Sequence, residues 1–254
     1  MRALIVGSGG QLGYELQRSC PTGVELCSLE RTQLDITDPD AVLEQVMAYA
    51  PDTIINTAAY TAVDGAETKP DLAVAINAEG PGHLARAAVS AGAQLLHVST
   101  DFVFDGAAER PYRPRDETRP LGVYGHSKLA GECRVREIMP HSLVVRTSWL
   151  YSAHGANFVK TMLKLMQERD HLRVVNDQLG APTWASGLAG ALWGLAAADA
   201  IHGVYHWSDA GQCSWYEFAC KIFKIRGIDI EVEGVPAETY PSPVKRPLML
   251  KPRF

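Results

Sequence analysis

A doubly wound α/β fold, built on a parallel sheet covered on both faces, is what this sequence predicts. Three observations carry that reading. Short β-branched runs alternate with longer helical patterns over the first 150 residues. None of those runs shows the in/out alternation of a strand with one wet face, as expected where helices cover both sides. A glycine-rich turn, Gly7-Ser8-Gly9-Gly10-Gln11-Leu12-Gly13, directly follows the first run.

Ala3–Gly7 (ALIVG), Val24–Leu29 (VELCSL), Thr53–Ala58 (TIINTA), Leu95–Thr100 (LLHVST) and Leu143–Trp149 (LVVRTSW) read as strands. The clearest helix between them is Ala41–Ala50. There Asp38 can cap, and Pro39 suits the first helical position because that N–H needs no partner. This β-α-β-α order implies right-handed crossovers and a parallel, Rossmann-like sheet. After Trp149 the rhythm breaks. Asn157–Arg169 reads as an amphipathic helix, Leu172–Val175 as a strand, Ser186–Ala198 as an Ala/Gly/Leu helix and Val204–Trp207 as a strand, with a loop-rich remainder. The expected division is a dinucleotide-binding domain over residues 1–150, with returns to its sheet over about 172–207. A smaller, partly discontinuous C-terminal substrate domain then occupies residues 151–254.

Composition narrows the class of function. The 254 residues are 46% hydrophobic and 21% charged, close to the soluble globular average, which argues against a disordered or fibrous chain. Lys and Arg number 24 against 29 Asp and Glu, and the net charge of −5 argues against broad binding to nucleic acid or anionic membranes. The longest strongly apolar stretch, Leu188–Ala200, is shorter than the ~20 residues of a bilayer span. Ala3–Val6 is too short for the apolar core of a secretory signal. Five cysteines (Cys20, Cys27, Cys133, Cys213, Cys220) form no CxxC pair, and an odd number suits a reducing compartment. A cytoplasmic protein is expected.

The glycine turn has GxxGxxG spacing, from Gly7 through Gly10 to Gly13. Glycines there permit a tight turn and close backbone approach, while the following helix N-terminus faces a pyrophosphate. Alone the run is weak, since any strand-to-helix turn can need glycine. At the first βα turn of an α/β chain it points to dinucleotide binding. An acidic residue that holds a ribose hydroxyl belongs about 20 positions later. Glu30 sits there, and Arg31 beside it suits a 2′-phosphate, so NADPH and NADH both stay open. Solvated turn residues are the alternative for both. Asp35-Ile36 is a second candidate, beside the adenine, against a loop Asp followed by a core Ile.

Tyr124-Gly125-His126-Ser127-Lys128 opens a helical run, and i to i+4 spacing puts the phenol and the ammonium on one face. A Tyr that protonates a ketone oxygen needs its pKa of ~10 lowered. A lysine ~4–5 Å away supplies roughly 3–4 kcal/mol at an effective dielectric near 20, or about 2–3 pKa units. In isolation YxxxK is usually an exposed Tyr near a surface Lys. Thr100 changes the weighing, because it ends the fourth strand, where ligands of doubly wound sheets bind. The alternative is a Thr that only caps the turn Ser99-Thr100-Asp101.

With these residues in hand, the chain resembles the extended short-chain dehydrogenase/reductase group and, within it, the dTDP-4-dehydrorhamnose reductases. The matching blocks are GQLG (Gly10–Gly13), NTAAYTAVDGAE (Asn56–Glu67), STDFVFDG (Ser99–Gly106), YGHSKLAGE (Tyr124–Glu132) and RTSWLY (Arg146–Tyr151). NFV (Asn157–Val159), DQLGAPTW (Asp177–Trp184), YHWSDAGQCSWYEFA (Tyr205–Ala219) and YPSPVKRP (Tyr240–Pro247) extend the resemblance to about residue 247.

The resemblance implies that Thr100, Tyr124 and Lys128 form a catalytic set using NADPH or NADH on a dTDP-4-keto sugar. It implies that Gly10, Gln11 and Leu12 meet the pyrophosphate within the turn framed by Gly7 and Gly13, and Asp35 and Ile36 the adenosine end. Ala59, Tyr60 and Thr61 would flank the ribose and nicotinamide. Trp149 would pack on the sugar, with Thr100 and Asp101 near the keto group; a core aromatic is the alternative for Trp149, and a packing residue for Tyr60. A homodimer is compatible with it. Some relatives bind Mg²⁺ at a subunit interface, but no metal-ligand cluster is visible in this sequence.

The final residues, LMLKPRF after Lys245-Arg246-Pro247, are shorter than the family's C-terminal segment. Lys245-Arg246 is a candidate for the diphosphate. Arg110, Arg113, Arg115 and Arg119 read as a solvated loop, and His126 as a helix-surface residue. A 4,6-dehydratase on this fold carries Asp-Glu after the Thr, whereas Asp101-Phe102 stands here. The other competing class is a non-catalytic regulatory subunit like the β-subunit of methionine adenosyltransferase, which keeps most of these motifs.

Overall fold

The computed structural model describes residues 1–198, 201–240 and 249–250. Its first half is a repeating strand–helix unit: β1 (Arg2–Val6), α1 (Gln11–Arg18), β2 (Glu25–Leu29), α2 (Pro39–Tyr49) and β3 (Thr53–Asn56). There follow α3 (Val63–Thr68), α4 (Pro70–Val74), a π-helical turn (Ala75–Glu79), α5 (Gly80–Ala91) and β4 (Gln94–Thr100). A 3₁₀ turn at Asp101–Val103 and a long loop lead to α6 (Val123–Ile138) and β5 (Leu143–Thr147). The second half holds β6 (Leu150–Tyr151), α7 (Phe158–Glu168), β7 (His171–Val175), β8 (Leu179–Gly180), β9 (Thr183–Trp184) and α8 (Ala185–Ala196). It continues with β10 (Gly203–Trp207), β11 (Cys213–Ser214), α9 (Trp215–Arg226), β12 (Glu231–Val235) and β13 (Met249–Leu250).

Six strands form one parallel sheet in the order β10-β5-β4-β3-β1-β2. The chain runs outward from β1 to β2, then returns past β1 to β3, so the strand order reverses beside β1. That is where doubly wound sheets bind ligands at their carboxyl ends. The fold is the Rossmann-like α/β fold expected from the sequence. One face of the sheet packs Leu4, Val6 and Ile54 against Val42, Val46 and Leu84 of α2 and α5. The other packs Ile5, Leu96 and Val145 against Leu12 and Leu16 of α1 and Leu188, Leu192 and Trp193 of α8. Each such side chain, taken out of water, contributes on the order of 1.5–3 kcal/mol.

Local chemistry explains the element ends. The Asp38 carboxylate accepts the N–H groups of Asp40 and Ala41 at 3.0 and 3.1 Å, so α2 starts at Pro39, two residues before the periodicity suggests. Between β3 and β4 the prolines do not break the helices: Pro70 sits in a first turn, where no N–H partner is lost, and Pro81 directly follows the π-helical turn within a continuous helical run.

Two expectations for the second half need correction. The stretch read as loop-rich contains α9 and β12. Ser214 accepts the Glu217 N–H at 3.1 Å and Glu217 accepts the Ser214 N–H at 2.7 Å, a capping box, and Gly227 at φ +64 ends the helix. Of the 172–207 stretch expected to return to the main sheet, α8 and β10 do so, but β7 pairs with β12 in a separate two-stranded sheet. The apolar partners of β7 are Phe223 and Ile222 of α9 and Met162 of α7, a cluster of their own.

Candidate active site

The glycine turn is shaped by contacts that only glycine tolerates. Gly7 has φ +83, and a Cβ there would lie 2.6 Å from the Ala58 nitrogen. A Cβ on Gly13 would lie 2.6 Å from the Gly7 carbonyl oxygen, so α1 starts hard against β1. Gly10 caps α1 without a side-chain hydrogen bond, leaving the first-turn N–H groups for an anion.

A cleft of about 780 Å³ opens at the carboxyl ends of β1, β3 and β4, within the range of ligand pockets. The glycine turn (Gly7, Gly10, Gln11, Leu12, Gly13) lines it, as do Glu30, Arg31, Asp35 and Ile36 after β2. Ala59, Tyr60 and Thr61 line it after β3, and Thr100, Asp101, Tyr124, Lys128 and Trp149 line it too. Residues from six separate stretches of sequence thus meet around one space.

At its inner end, Thr100 is the last residue of β4 and 6% exposed. Its Oγ1 accepts the Phe102 N–H at 3.2 Å and lies 3.2 Å from Asp101 Oδ1, to which it donates. Capping a turn and lining the cleft are therefore both true of it. Tyr124 stands in the first turn of α6 with Phe102 edge-on at 5.5 Å. A Cβ on Gly125 would lie 2.3 Å from the Phe102 carbonyl oxygen, so glycine lets α6 settle onto that turn. Lys128, 2% exposed, donates from Nζ to the Val98 carbonyl at 2.8 Å.

Burial dominates the electrostatics here. It pushes the Tyr124 phenol up to about 12, with the Asp101 carboxylate adding to the rise and the Thr100 hydroxyl opposing it. It brings the Lys128 ammonium down to about 8, against the pull of Glu132. It lifts the Asp101 carboxyl to about 7, and Asp101 Oδ2 is buried with no hydrogen-bond partner among the described residues. Where spacing alone leads to a lowered phenol, burial is the largest influence and holds Tyr124 above its ordinary value.

At the outer end, Glu30 lies against the glycine turn: a Cβ on Gly9 would be 3.2 Å from Glu30 Cδ. Glu30 and Arg31 are exposed. The Asp35 carboxylate accepts from the Thr37 N–H at 3.0 Å and its hydroxyl at 2.8 Å, which holds it below the usual carboxylate range. Ile36 faces the cleft and also packs on α5, where a Cβ on Gly80 would lie 2.6 Å from its Cδ1. Trp149 has φ +45, an uncommon conformation for an aromatic residue. Arg110 pairs with Asp116 at 2.6 Å and Arg119 with Glu117 at 2.7 Å, both within their own loop. Lys245 and Arg246 lie outside the described residues.

Two features carried no signal in sequence reasoning. Asn77, in the π-helical turn and fully buried, accepts the Tyr60 N–H at 2.8 Å and donates to the Tyr60 carbonyl at 3.1 Å and the Ser127 hydroxyl at 3.0 Å. It ties the loop after β3 to α6, and π-turns often occur at functional sites. The segment after β6 folds across the glycine turn. Ser152 donates to Glu15 at 2.8 Å, His154 Nε2 to the Gly9 carbonyl at 3.0 Å and Asn157 to Gln11 at 2.8 Å. The His154 ring stacks on Tyr14 at 4.2 Å. Asn157 stands in the quoted NFV block, but its partner could not be read from spacing. Among the described residues no group of three His, Cys, Asp or Glu could hold a metal ion, and no helix is long and apolar enough to cross a membrane.

A model of the family described as the RmlD substrate binding domain matches residues 1–249. The dTDP-4-dehydrorhamnose reductase of Sinorhizobium fredii is 42% identical over 97% of this chain and 87% of that protein. The spore coat polysaccharide biosynthesis protein SpsK of Bacillus subtilis is 41% identical over the same shares. The crystal structure of a dTDP-4-dehydrorhamnose reductase from Clostridium acetobutylicum superposes with a TM-score of 0.97 at 43% identity, over 100% of this chain and 90% of that one. The Bacillus anthracis enzyme of that name, in complex with NADP, gives 0.95 at 40% identity, over 98% and 88%. A Thermus thermophilus UDP-glucose 4-epimerase, 17% identical with a TM-score of 0.85 over 100% of this chain and 90% of that one, shares the fold.

Proposed function

The chain belongs to the RmlD substrate binding domain family, and from that membership we propose that it reduces the 4-keto group of dTDP-4-dehydro-β-L-rhamnose to dTDP-L-rhamnose with NADPH or NADH. One observation carries the reading. The glycine turn and the Thr100–Tyr124–Lys128 set open into a single cleft. The relatives named for this activity, one of them with NADP, support it.

The cradle suits a dinucleotide, since the space a Cβ would fill at Gly7 and Gly13 is already taken by backbone. Gly10, Gln11 and Leu12 would hold the pyrophosphate, Asp35 and Ile36 the adenosine, and Ala59, Tyr60 and Thr61 the ribose and nicotinamide side. Glu30 and Arg31 would set the choice at the 2′ position. A bound nicotinamide supplies the hydride for the sugar carbon. Trp149 packs on the sugar, and Thr100 and Asp101 meet its keto group. Tyr124 keeps its proton throughout the neutral range, since burial holds the phenol up at about 12. It therefore meets the carbonyl oxygen as an acid, and Thr100 orients that oxygen by one hydrogen bond. Once the proton has left, the buried phenolate needs a cation, and Lys128 one helical turn away provides it. The part built from α7, β7, α9 and β12, with its own core, forms the substrate domain beside Trp149. The enzyme works in the cytoplasm.

The test is cofactor oxidation. Purified protein should consume NADPH or NADH only when the dTDP-4-keto-6-deoxy-L-hexose is supplied. Tight nucleotide binding with no sugar-dependent oxidation would overturn the reading and favour a non-catalytic role.

A further inference from the structure

Beneath the catalytic set lies a buried charged group that the mechanism above does not use. Glu132 is 2% exposed and stands one helical turn after Lys128 on α6. Its Oε1 accepts the Ser99 hydroxyl at 2.5 Å and the Arg146 Nε–H at 2.9 Å, and its Oε2 accepts from Arg146 Nη2 at 2.6 Å. Ser99 and Arg146 are direct partners in the β4–β5 register, so one carboxylate spans two strands. Arg146, 4% exposed, also donates to the Pro114 carbonyl at 3.3 Å in the loop before α6.

The geometry has a consequence for the residues above it. Lys128 fastens α6 to β4 at Val98, and Glu132 fastens it at Ser99. The next residue along β4 is Thr100, and the turn of α6 before Lys128 carries Tyr124. Two successive rungs therefore set how far the Thr100 hydroxyl stands from the Tyr124 phenol. Charge works in the same place. Lys128 is faced by Glu132 from its own helix and by His97 from β4, with Arg146 of β5 beyond Glu132. His97 is held well below its ordinary value by burial and by Lys128, so it stays neutral. Glu132, one helical turn from Lys128, is then an anion that acts on the Lys128 ammonium, and it also pairs with Arg146.

We propose that Glu132 is a positioning residue of this site: it holds α6 against Ser99 and Arg146 so that Tyr124 meets Thr100, and its charge keeps Lys128 a cation. The proposal rests on the roles given above to Tyr124, Lys128 and Thr100. A purely structural carboxylate would stabilise the fold and leave the titration of Lys128 where it is.

The test separates charge from reach in the full-length chain. Lysines are labelled with ¹³C at Cε, and the Lys128 resonance is identified by its loss in Lys128→Met. In Glu132→Gln, which keeps the size, the Lys128 titration midpoint falls by at least one pH unit, and the alkaline limb of kcat moves down with it. Glu132→Asp keeps the charge but shortens the reach, so the midpoint stays near wild type while kcat falls about tenfold. Ser99→Ala removes one rung with the charge intact, and kcat falls several-fold with the midpoint unmoved. An unchanged Lys128 midpoint in Glu132→Gln overturns the charge role, and wild-type kcat in both Glu132→Asp and Ser99→Ala overturns the clamp. Should Glu132→Gln not fold, the Asp and Ala variants decide by kcat. If the wild-type chain oxidises no cofactor, the functional reading fails by itself, and the resonance midpoints still judge Glu132.

Discussion

The ring of Trp149 lies flat on the ring of Trp215, with centroids 3.4 Å apart and planes within 7°. Trp149 follows the end of β5, and Trp215 is the first residue of α9, so the stack joins the main sheet to the smaller part of the molecule. Phe158 of α7 tilts against Trp215 at 4.6 Å and continues the contact. Trp149 also lies against Gly180, where a Cβ would be 2.3 Å from its Cε2, and its backbone is left-handed at φ +45.

Trp215→Ala should therefore loosen Trp149 without touching the reacting atoms. The stack is worth roughly 0.5–1.5 kcal/mol beyond area burial. The sugar-nucleotide KM should rise about 3- to 10-fold, with kcat and the cofactor dissociation constant nearly unchanged. Steady-state kinetics over both substrates checks this, and an unchanged KM would remove the stack from sugar binding.

For the chemistry, Tyr124→Phe should lower kcat by at least ~10² while leaving cofactor affinity nearly intact. Lys128→Met should weaken cofactor binding as well as slow turnover. Thr100→Val should slow it less, since one oriented hydrogen bond is worth about 1–3 kcal/mol. Single-turnover measurements, where product release does not limit the rate, compare the three. Near-normal turnover in Tyr124→Phe would take that residue out of the mechanism.

The proposed roles of Glu30 and Arg31 at the 2′ position give a cofactor prediction. At that position Glu30 would repel a 2′-phosphate and Arg31 would attract it, so both cofactors should work, with a modest preference for NADPH. Glu30→Ala should raise the NADPH/NADH ratio of kcat/KM, and Arg31→Ala should lower it. An unmoved ratio in both variants would place the 2′ position elsewhere.

The Asp101 carboxyl, lifted by burial from 3.8 to about 7, has a signed consequence for stability. Between those values the folded chain holds a proton that the unfolded chain has released. Stability from this group is thus full below pH 4 and is lost as pH rises toward 7. Asp101→Asn keeps the shape and removes the titration. It should gain on wild type as pH rises from 4 to 7, by up to roughly 4 kcal/mol. Urea melts at pH 4, 5.5 and 7 measure the difference, and a constant gap between the two proteins would mean that Asp101 ionises normally.

Much of this architecture was legible because it is local. Strands β1, β3 and β5 announce themselves by β-branched runs without in/out alternation, α2 by Asp38 and Pro39, and the glycine turn by its GxxGxxG spacing. The cleft residues were legible as motifs at the ends of those elements. What stayed hidden depends on register and return. Ser99, Arg146 and His206 stand side by side only because β4, β5 and β10 pair with that offset. Asn77 gains its meaning from a π-turn that no periodicity marks, and α9 was missed although its Ser214-x-x-Glu217 cap was present. The desolvation that holds Tyr124 above its ordinary value is a property of the closed surroundings and not of YxxxK spacing.

The face of the sheet opposite α2 and α5 is covered by α1 and by α8, and its outer edge is completed by β10. Both α8 and β10 come from beyond residue 184. A ribosome that has released only the first 150 residues has produced the motifs of the cleft, yet the face holding Ile5, Leu96 and Val145 has α1 but lacks α8, and β5 still has an open edge. Such a nascent chain is sticky, and a stop codon or protease cut placed between the two halves should yield an aggregating fragment instead of an independent cofactor-binding module. The elements that finish covering this face and edge stand late in the chain and contribute none of the cleft's lining.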